Sequence, residues 1–156
     1  DVRFVYPSSA AALKVTSPYG LSKKTAAEYV KMFCPNHVIL TLPNVFGQGG
    51  HSVIEKFLND EEIIIYGDGT QTRDFVHVDD IVEAMVRSLD WPSGEYYLGS
   101  NNSYQIKELA SLTDKKINFI PERPNEIKHS KLSNTSFNWE PKINPVEYIK
   151  ERSKHE

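Results

Sequence analysis

Tyr19 and Lys23 stand four residues apart at the start of a stretch that reads as a helix, so both side chains fall on one helical face. A phenol titrates near ~10 in water and acts as a base at neutral pH only where nearby positive charge favours the phenolate. Lys23 is placed to supply that charge. Ser8 and Ser9 close an apolar run just upstream, and Ser17-Pro18 has the form of an N-cap followed by an N1 proline. Serine, tyrosine and lysine in this order read as a proton-transfer set. The bare residues equally suit a surface helix with an exposed lysine and a half-buried tyrosine, preceded by a polar turn.

Further along, Pro43-Asn44 follow an apolar run at what should be the carboxyl end of a strand, where open α/β sheets bind ligands. Asn44 could also simply form an Asx turn. Arg73 carries a planar fork of donors that matches phosphate oxygens, although an ion pair with the adjacent Asp74 is the plainer account of it. Gly47-Gln48-Gly49-Gly50 reads as a flexible loop, since the Gly-Lys-Ser/Thr of a phosphate cradle does not follow. His77 lacks a second ligand at helical spacing and reads as structural, so no metal site is expected.

The elements that must position these residues follow from hydrophobic periodicity. Residues 2–6 are a β-branched and aromatic run expected to stop at Pro7, and residues 37–42 a nearly continuous apolar strand of the kind buried in parallel sheets. Between them a helix from Pro18 to about Phe33 should turn Leu21, Ala26, Tyr29, Val30 and Phe33 toward the sheet, completing a βαβ unit. Helices are expected over residues 52–58, 78–89, 105–112 and 145–154, and strands over 62–66, 96–98 and 117–120. An aspartate should cap the helix that opens at Val78-Asp79-Asp80, and Gly67-Asp68-Gly69 should be a tight turn.

At 156 residues and 39% hydrophobic, the chain can bury one ordinary core but is short for a dinucleotide fold with its own substrate domain. A net charge of -3 gives no electrostatic case for nucleic acid or an anionic membrane. The single Cys34 rules out an internal disulfide, reads as helix-end packing and fits a reducing compartment. With no apolar run near the ~20 residues of a membrane span and no leader pattern at Asp1-Val2-Arg3, a soluble cytoplasmic protein is expected. A strand beginning at residue 2 leads us to expect missing sequence before it.

Several segments, in order, carry a family resemblance: Ser8-Ser9-Ala10; Ser17 to Lys23; Leu42-Pro43-Asn44-Val45-Phe46-Gly47; Gly67 to Asp80; Arg123-Pro124-Asn125-Glu126; and Trp139-Glu140-Pro141. Together they resemble the extended short-chain dehydrogenases, and within them the NAD-dependent epimerases and dehydratases of nucleotide sugars. The resemblance implies an α/β fold: the C-terminal part of a Rossmann-type parallel sheet with a smaller α/β substrate-binding domain. Residues 1–50 and about 70–92 would belong to the first, about 51–69 and 93–156 to the second.

By the same resemblance Tyr19 is the base, Ser9 its hydrogen-bonding partner and a substrate contact, and Lys23 a ligand of the nicotinamide ribose. Tyr19, Ser8 and Pro43 would lie by NAD, and Asn44 and Tyr66 by the nucleotide sugar. Arg73 and Arg123 would clamp its diphosphate, and Glu126 would reach the nucleoside. A homodimer through a helix bundle that includes the Tyr19 helix is also implied. The family's 4,6-dehydratases carry Thr-Asp-Glu where this chain has Ser9-Ala10-Ala11, so the expected activity is that of a UDP-glucose 4-epimerase-like enzyme. A dehydratase, decarboxylase or reductase stands behind it. A non-catalytic nucleotide-sugar-binding fragment, or a part needing an N-terminal partner, is the reading from another class.

Three departures from the family are consistent with a truncated chain, with loops left out of the sequence, or with a naturally reduced protein, and if the chain is whole they favour that last reading. No Gly-x-x-Gly-x-x-Gly occurs at a strand-to-helix junction. Leu13 and Lys14 stand where the family has a longer loop with Tyr-Gly, and the stretch from Ser130 to Trp139 is shorter than the family's usual helix.

Overall fold

Residues 37–42 are a nearly continuous apolar run in which positions 38–41 are all buried, and they become the centre of a sheet. In the computed structural model, which describes residues 2–124 and 126–154, this strand β2 (His37–Leu42) lies between β1 (Phe4–Ser9) and β7 (Gly94–Tyr97), parallel to both. Its side chains alternate between two apolar clusters, as a pleated strand requires. Val38 and Leu40 join Val76, Ile81, Ala84, Trp91, Leu98 and Trp139 on one face. Ile39 meets Ala27 and Val30 of helix α1 (Pro18–Phe33) on the other.

β1 does not stop at Pro7 but runs through it to Ser9. A proline removes a ladder donor, and among the described residues β1 pairs with β2 alone, so no ladder bond in this sheet is lost on its other side. Helix α1 starts as expected, with Pro18 in its first turn and Ser17 Oγ accepting from Gly20 N at 3.1 Å. Its inward face is narrower than expected. Gly20, Ala27 and Val30 are buried, whereas Leu21, Tyr29 and Phe33 are exposed, with Tyr29 and Phe33 stacked on each other at 6.0 Å between centroids. The small residues set the helix against the sheet, and the bulky ones fall outside that stripe.

A second core gathers Phe46, Phe75, Ile54, Phe57, Ile63 and Ile65, with Ile106, Leu109 and Ile149 behind them. It holds the paired strands β3 (Asn44–Phe46) and β6 (Phe75–His77), and β4 (Ile63–Tyr66) and β9 (Ile117–Ile120), both pairs parallel. The antiparallel pair β5 (Thr72–Arg73) and β8 (Tyr104–Gln105), with helices α2 (Val53–Asn59), α4 (Ile106–Ala110) and α5 (Pro145–Arg152), completes it. Helix α3 (Val78–Arg87) covers the first sheet. Its N-cap is His77, whose Nδ1 accepts from Asp79 N at 3.2 Å, rather than an aspartate. Asp80 is instead buried and accepts from Lys142 N and Ile143 N, both at 3.0 Å, which ties the chain's tail to α3. Cys34 packs at the C-terminal end of α1. Among the described residues no helix is long and apolar enough to cross a membrane.

Candidate functional site

The chemistry-bearing residues fall into two adjoining groups. The first is a corner where β1 ends and α1 begins. Ser8 and Ser9 sit opposite Thr41 and Leu42, so both serines reach the carboxyl end of the sheet. Ser8 is buried there. Ser9 Oγ accepts from Ala11 N at 3.2 Å and caps a single 3₁₀ turn over Ala10–Ala12, which leaves its own hydroxyl hydrogen available to donate.

Helix α1 comes in tightly on that turn. A Cβ on Gly20 would lie 2.5 Å from the Ala11 carbonyl oxygen, so the backbone beside Tyr19 can approach only because residue 20 is glycine. Tyr19 itself is 55% exposed and its hydroxyl has no partner among the described residues. Lys23 reaches back to β1, where its Nζ donates to Pro7 O at 3.2 Å and lies 5.4 Å from the Tyr6 ring. The lysine's charge is thereby fixed at the strand end that carries the serines.

The second group begins two residues beyond Leu42 on β2. Pro43 is a half-buried link into β3, and Asn44 pairs in register with Phe75 of β6. That register brings both Asn44 N and Asn44 Nδ2 onto the Asp74 carbonyl, at 3.1 and 3.0 Å. Asp74 is fully buried. Its carboxylate accepts from Ser100 N and Oγ and from Leu132 N, and burial nevertheless raises its pKa, with the Ser100 and Leu132 hydrogen bonds opposing the rise. It is not the partner of Arg73.

Arg73 pairs instead with Glu126, Nη2 to Oε1 at 3.0 Å, and its Nη1 donates to Thr72 O at 2.9 Å. Burial lowers the guanidinium's pKa and the Glu126 charge opposes that. The other Glu126 oxygen is buried without a hydrogen bond among the described residues. Arg123 lies flat on Tyr66, 3.7 Å from the ring centroid, so its face is stacked and its edge donors remain open. Asn125, which stands where the family has glycine, is outside the described residues.

Asn44, Tyr66, Arg73, Arg123 and Glu126 all line one cleft of about 580 Å³. Five residues spread over more than half the sequence therefore converge on one hollow. Ser8, Ser9, Tyr19, Lys23 and Pro43 are not among its walls; they stand at the corner to which Leu42 and Pro43 lead. A second hollow, about 640 Å³ between α3 and the tail, contains none of the expected site residues.

Four polar residues of the cleft escaped the sequence reading: His51, Ser52, Lys56 and Gln71. Gln71 holds Tyr66 in place, its Nε2 donating to Tyr66 O at 2.9 Å. No spacing rule marks these positions. Gly20, next to the tyrosine, was the one accessible signal of a close helix approach.

A parallel sheet with polar residues at its carboxyl ends, adjoining a cleft lined by Arg73 and Arg123, is a Rossmann-type α/β arrangement. Residues 4–99 match the NAD dependent epimerase/dehydratase family, and the chain belongs to it. It is 33% identical to a putative UDP-glucose 4-epimerase of Methanocaldococcus jannaschii, over 86% of this chain and 51% of that protein. It is 29% identical to mouse dTDP-D-glucose 4,6-dehydratase, over 86% of this chain and 46% of the relative. The structure of UDP-glucose 4-epimerase from Thermotoga maritima, solved with UDP-glucose, matches with a TM-score of 0.83 at 26% identity, covering 98% of this chain and 62% of that one. The chain thus spans about half the length of the relatives it matches. The family's cofactor is NAD.

Proposed function

We propose that this chain is the nucleotide-sugar-binding and proton-transfer part of an NAD-dependent UDP-sugar 4-epimerase, with residues 1–50 and about 70–92 on the cofactor side and the remainder around the substrate. The convergence of Asn44, Tyr66, Arg73, Arg123 and Glu126 on one cleft is the observation that carries it. In this reading the nucleoside and diphosphate lie in the cleft, and the sugar extends past Asn44 and Pro43 to the corner of Ser9 and Tyr19.

Oxidation at a sugar carbon requires a hydroxyl to lose its proton as the carbon loses hydride. NAD, when bound, supplies the hydride acceptor. Tyr19 Oη, exposed and unpaired, takes the hydroxyl proton, and the Ser9 hydroxyl donates to the same sugar oxygen and orients it. Lys23 contributes positive charge one helical turn from Tyr19, with its Nζ held at Pro7 O. The fit to NAD is partial within these residues: Tyr19 is exposed and Lys23 is held at the β1 end, while Ser8 is buried and Pro43 half-buried. The absence of acids at Ala10 and Ala11 favours epimerisation over dehydration.

The outward faces of α1 and α3, with Tyr29, Met32, Phe33, Val82 and Val86 exposed, support a homodimer formed through these helices. We place the protein in the cytoplasm.

Calorimetric titration with UDP-glucose tests the binding half of this reading, and conversion of UDP-glucose to UDP-galactose followed by NMR tests the catalytic half. Binding with turnover is expected where NAD is bound. Binding without NAD and without turnover would establish the non-catalytic binding reading instead, and no UDP-sugar binding would defeat both.

A further inference from the structure

The charges in the cleft are not equivalent. Arg73 is already matched by Glu126 at 3.0 Å, and its Nη1 is committed to a backbone carbonyl. Arg123 is stacked on Tyr66 with no carboxylate partner among the described residues. The remaining cation in the wall is Lys56, on the cleft side of α2. It too has no carboxylate partner among the described residues. A diphosphate entering here brings more negative charge than Arg123 alone can balance.

Helix α2 is held so that Lys56 stays on the cleft. Its next residue inward, Glu55, is buried and accepts from Tyr148 Oη at 2.8 Å, with Arg152 Nη1 3.7 Å from its other oxygen. Arg152 Nη1 also donates to Tyr148 Oη at 2.9 Å. Helix α5 thus pins one face of α2 through a buried carboxylate, while Lys56, one position on, projects from another face toward the hollow.

We propose that Lys56 is a phosphate-binding residue of this cleft, working with Arg123. This rests on the nucleotide-sugar reading above and adds a residue to it. The ammonium brings three donors to phosphate oxygens. Arg123 contacts from the Tyr66 side and Lys56 from the α2 side.

The test is calorimetric titration of the full chain with UDP and, separately, with uridine, for the wild type, Lys56→Gln and Lys56→Arg, each first shown to melt like the wild type. Loss of one charge-assisted hydrogen bond should weaken UDP about tenfold in Lys56→Gln. Uridine binding should be unchanged, Lys56→Arg should recover most of the UDP affinity, and the dependence on salt should become shallower. UDP binding to Lys56→Gln within about twofold of wild type overturns the assignment while leaving the nucleotide-sugar reading intact, and so does an equal loss for UDP and uridine. A wild-type chain that binds neither ligand overturns the nucleotide-sugar reading and this assignment with it.

Discussion

The cleft and the corner that adjoins it are built in opposite ways. In the cleft several polar groups are already held: Arg73 by Glu126, the Asn44 amide by the Asp74 carbonyl, and the Tyr66 backbone carbonyl by Gln71. At the corner Tyr19 stands 55% exposed and unheld, and Lys23 is anchored only to a backbone oxygen. Recognition groups gain from being fixed before the ligand arrives, because their ordering entropy is then not charged against binding. A base that must change its protonation state gains from having no competing partner. On the proposed function, the difference separates what would hold the substrate from what would react with it, and the two should fail separately.

The largest expected effect is at the corner. Tyr19→Phe in catalytically active protein should lower kcat by about 10²–10⁴-fold, the range for loss of a general base. UDP-glucose affinity should stay at the wild-type value; equal losses in both would merge the two regions. On the other side, Asp74→Ala should destabilise the fold by about 3 kcal/mol, since it strands the buried N–H groups of Ser100 and Leu132. Urea denaturation gives that figure, and the same variant should bind UDP poorly because Asn44 depends on this strand.

Gly20→Ala is the smaller counterpart at the corner. Its new methyl must displace the Ala11 carbonyl, 2.5 Å away, at a cost of about 1–3 kcal/mol. Turnover should fall more than UDP affinity, which would show that the approach of α1 serves Tyr19. Arg123→Lys should keep the charge yet lose the flat stacking on Tyr66, weakening UDP by less than about tenfold.

The smallest effect is a pH dependence. Burial raises the folded-state pKa of Asp74 above its unfolded value. The folded chain therefore takes up this proton first, so the associated stability is fully present below the ordinary aspartate range and is lost as pH rises through the raised value. The stability of wild type relative to Asp74→Asn should accordingly increase on acidification through that window. A flat or reversed difference in urea midpoints would mean that the hydrogen bonds outweigh burial.

Long periodic elements were legible before the structure was known. The α1 cap, the continuous apolar β2 and the α2, β4 and α3 segments all lie within a residue or two of their expected positions. The strands β3, β5, β6 and β8 were not foreseen, because two or three residues are too few to show a period of two. Yet β3 and β6 are what carry Asn44 to Asp74 and so shape the cleft. The outward turn of Leu21, Tyr29 and Phe33 was hidden for another reason: residue type alone does not reveal which of two apolar stripes on a helix meets its own sheet. The Arg73 partner was misjudged because Glu126 lies far along the chain, and only the fold places it nearer than Asp74's carboxylate.

The link Leu42-Pro43-Asn44 has a further consequence. Ser9 is in register with Leu42, and Asn44 belongs to the cleft, so about 7 Å of extended backbone separates the reacting corner from the nucleotide's anchorage. Pro43 stiffens that span by locking its φ. On the proposed function, this span would act as a ruler that gauges the distance between a ligand's anionic handle and its reactive carbon. Analogues differing in sugar stereochemistry should be admitted more readily than analogues in which one extra methylene lengthens the spacer.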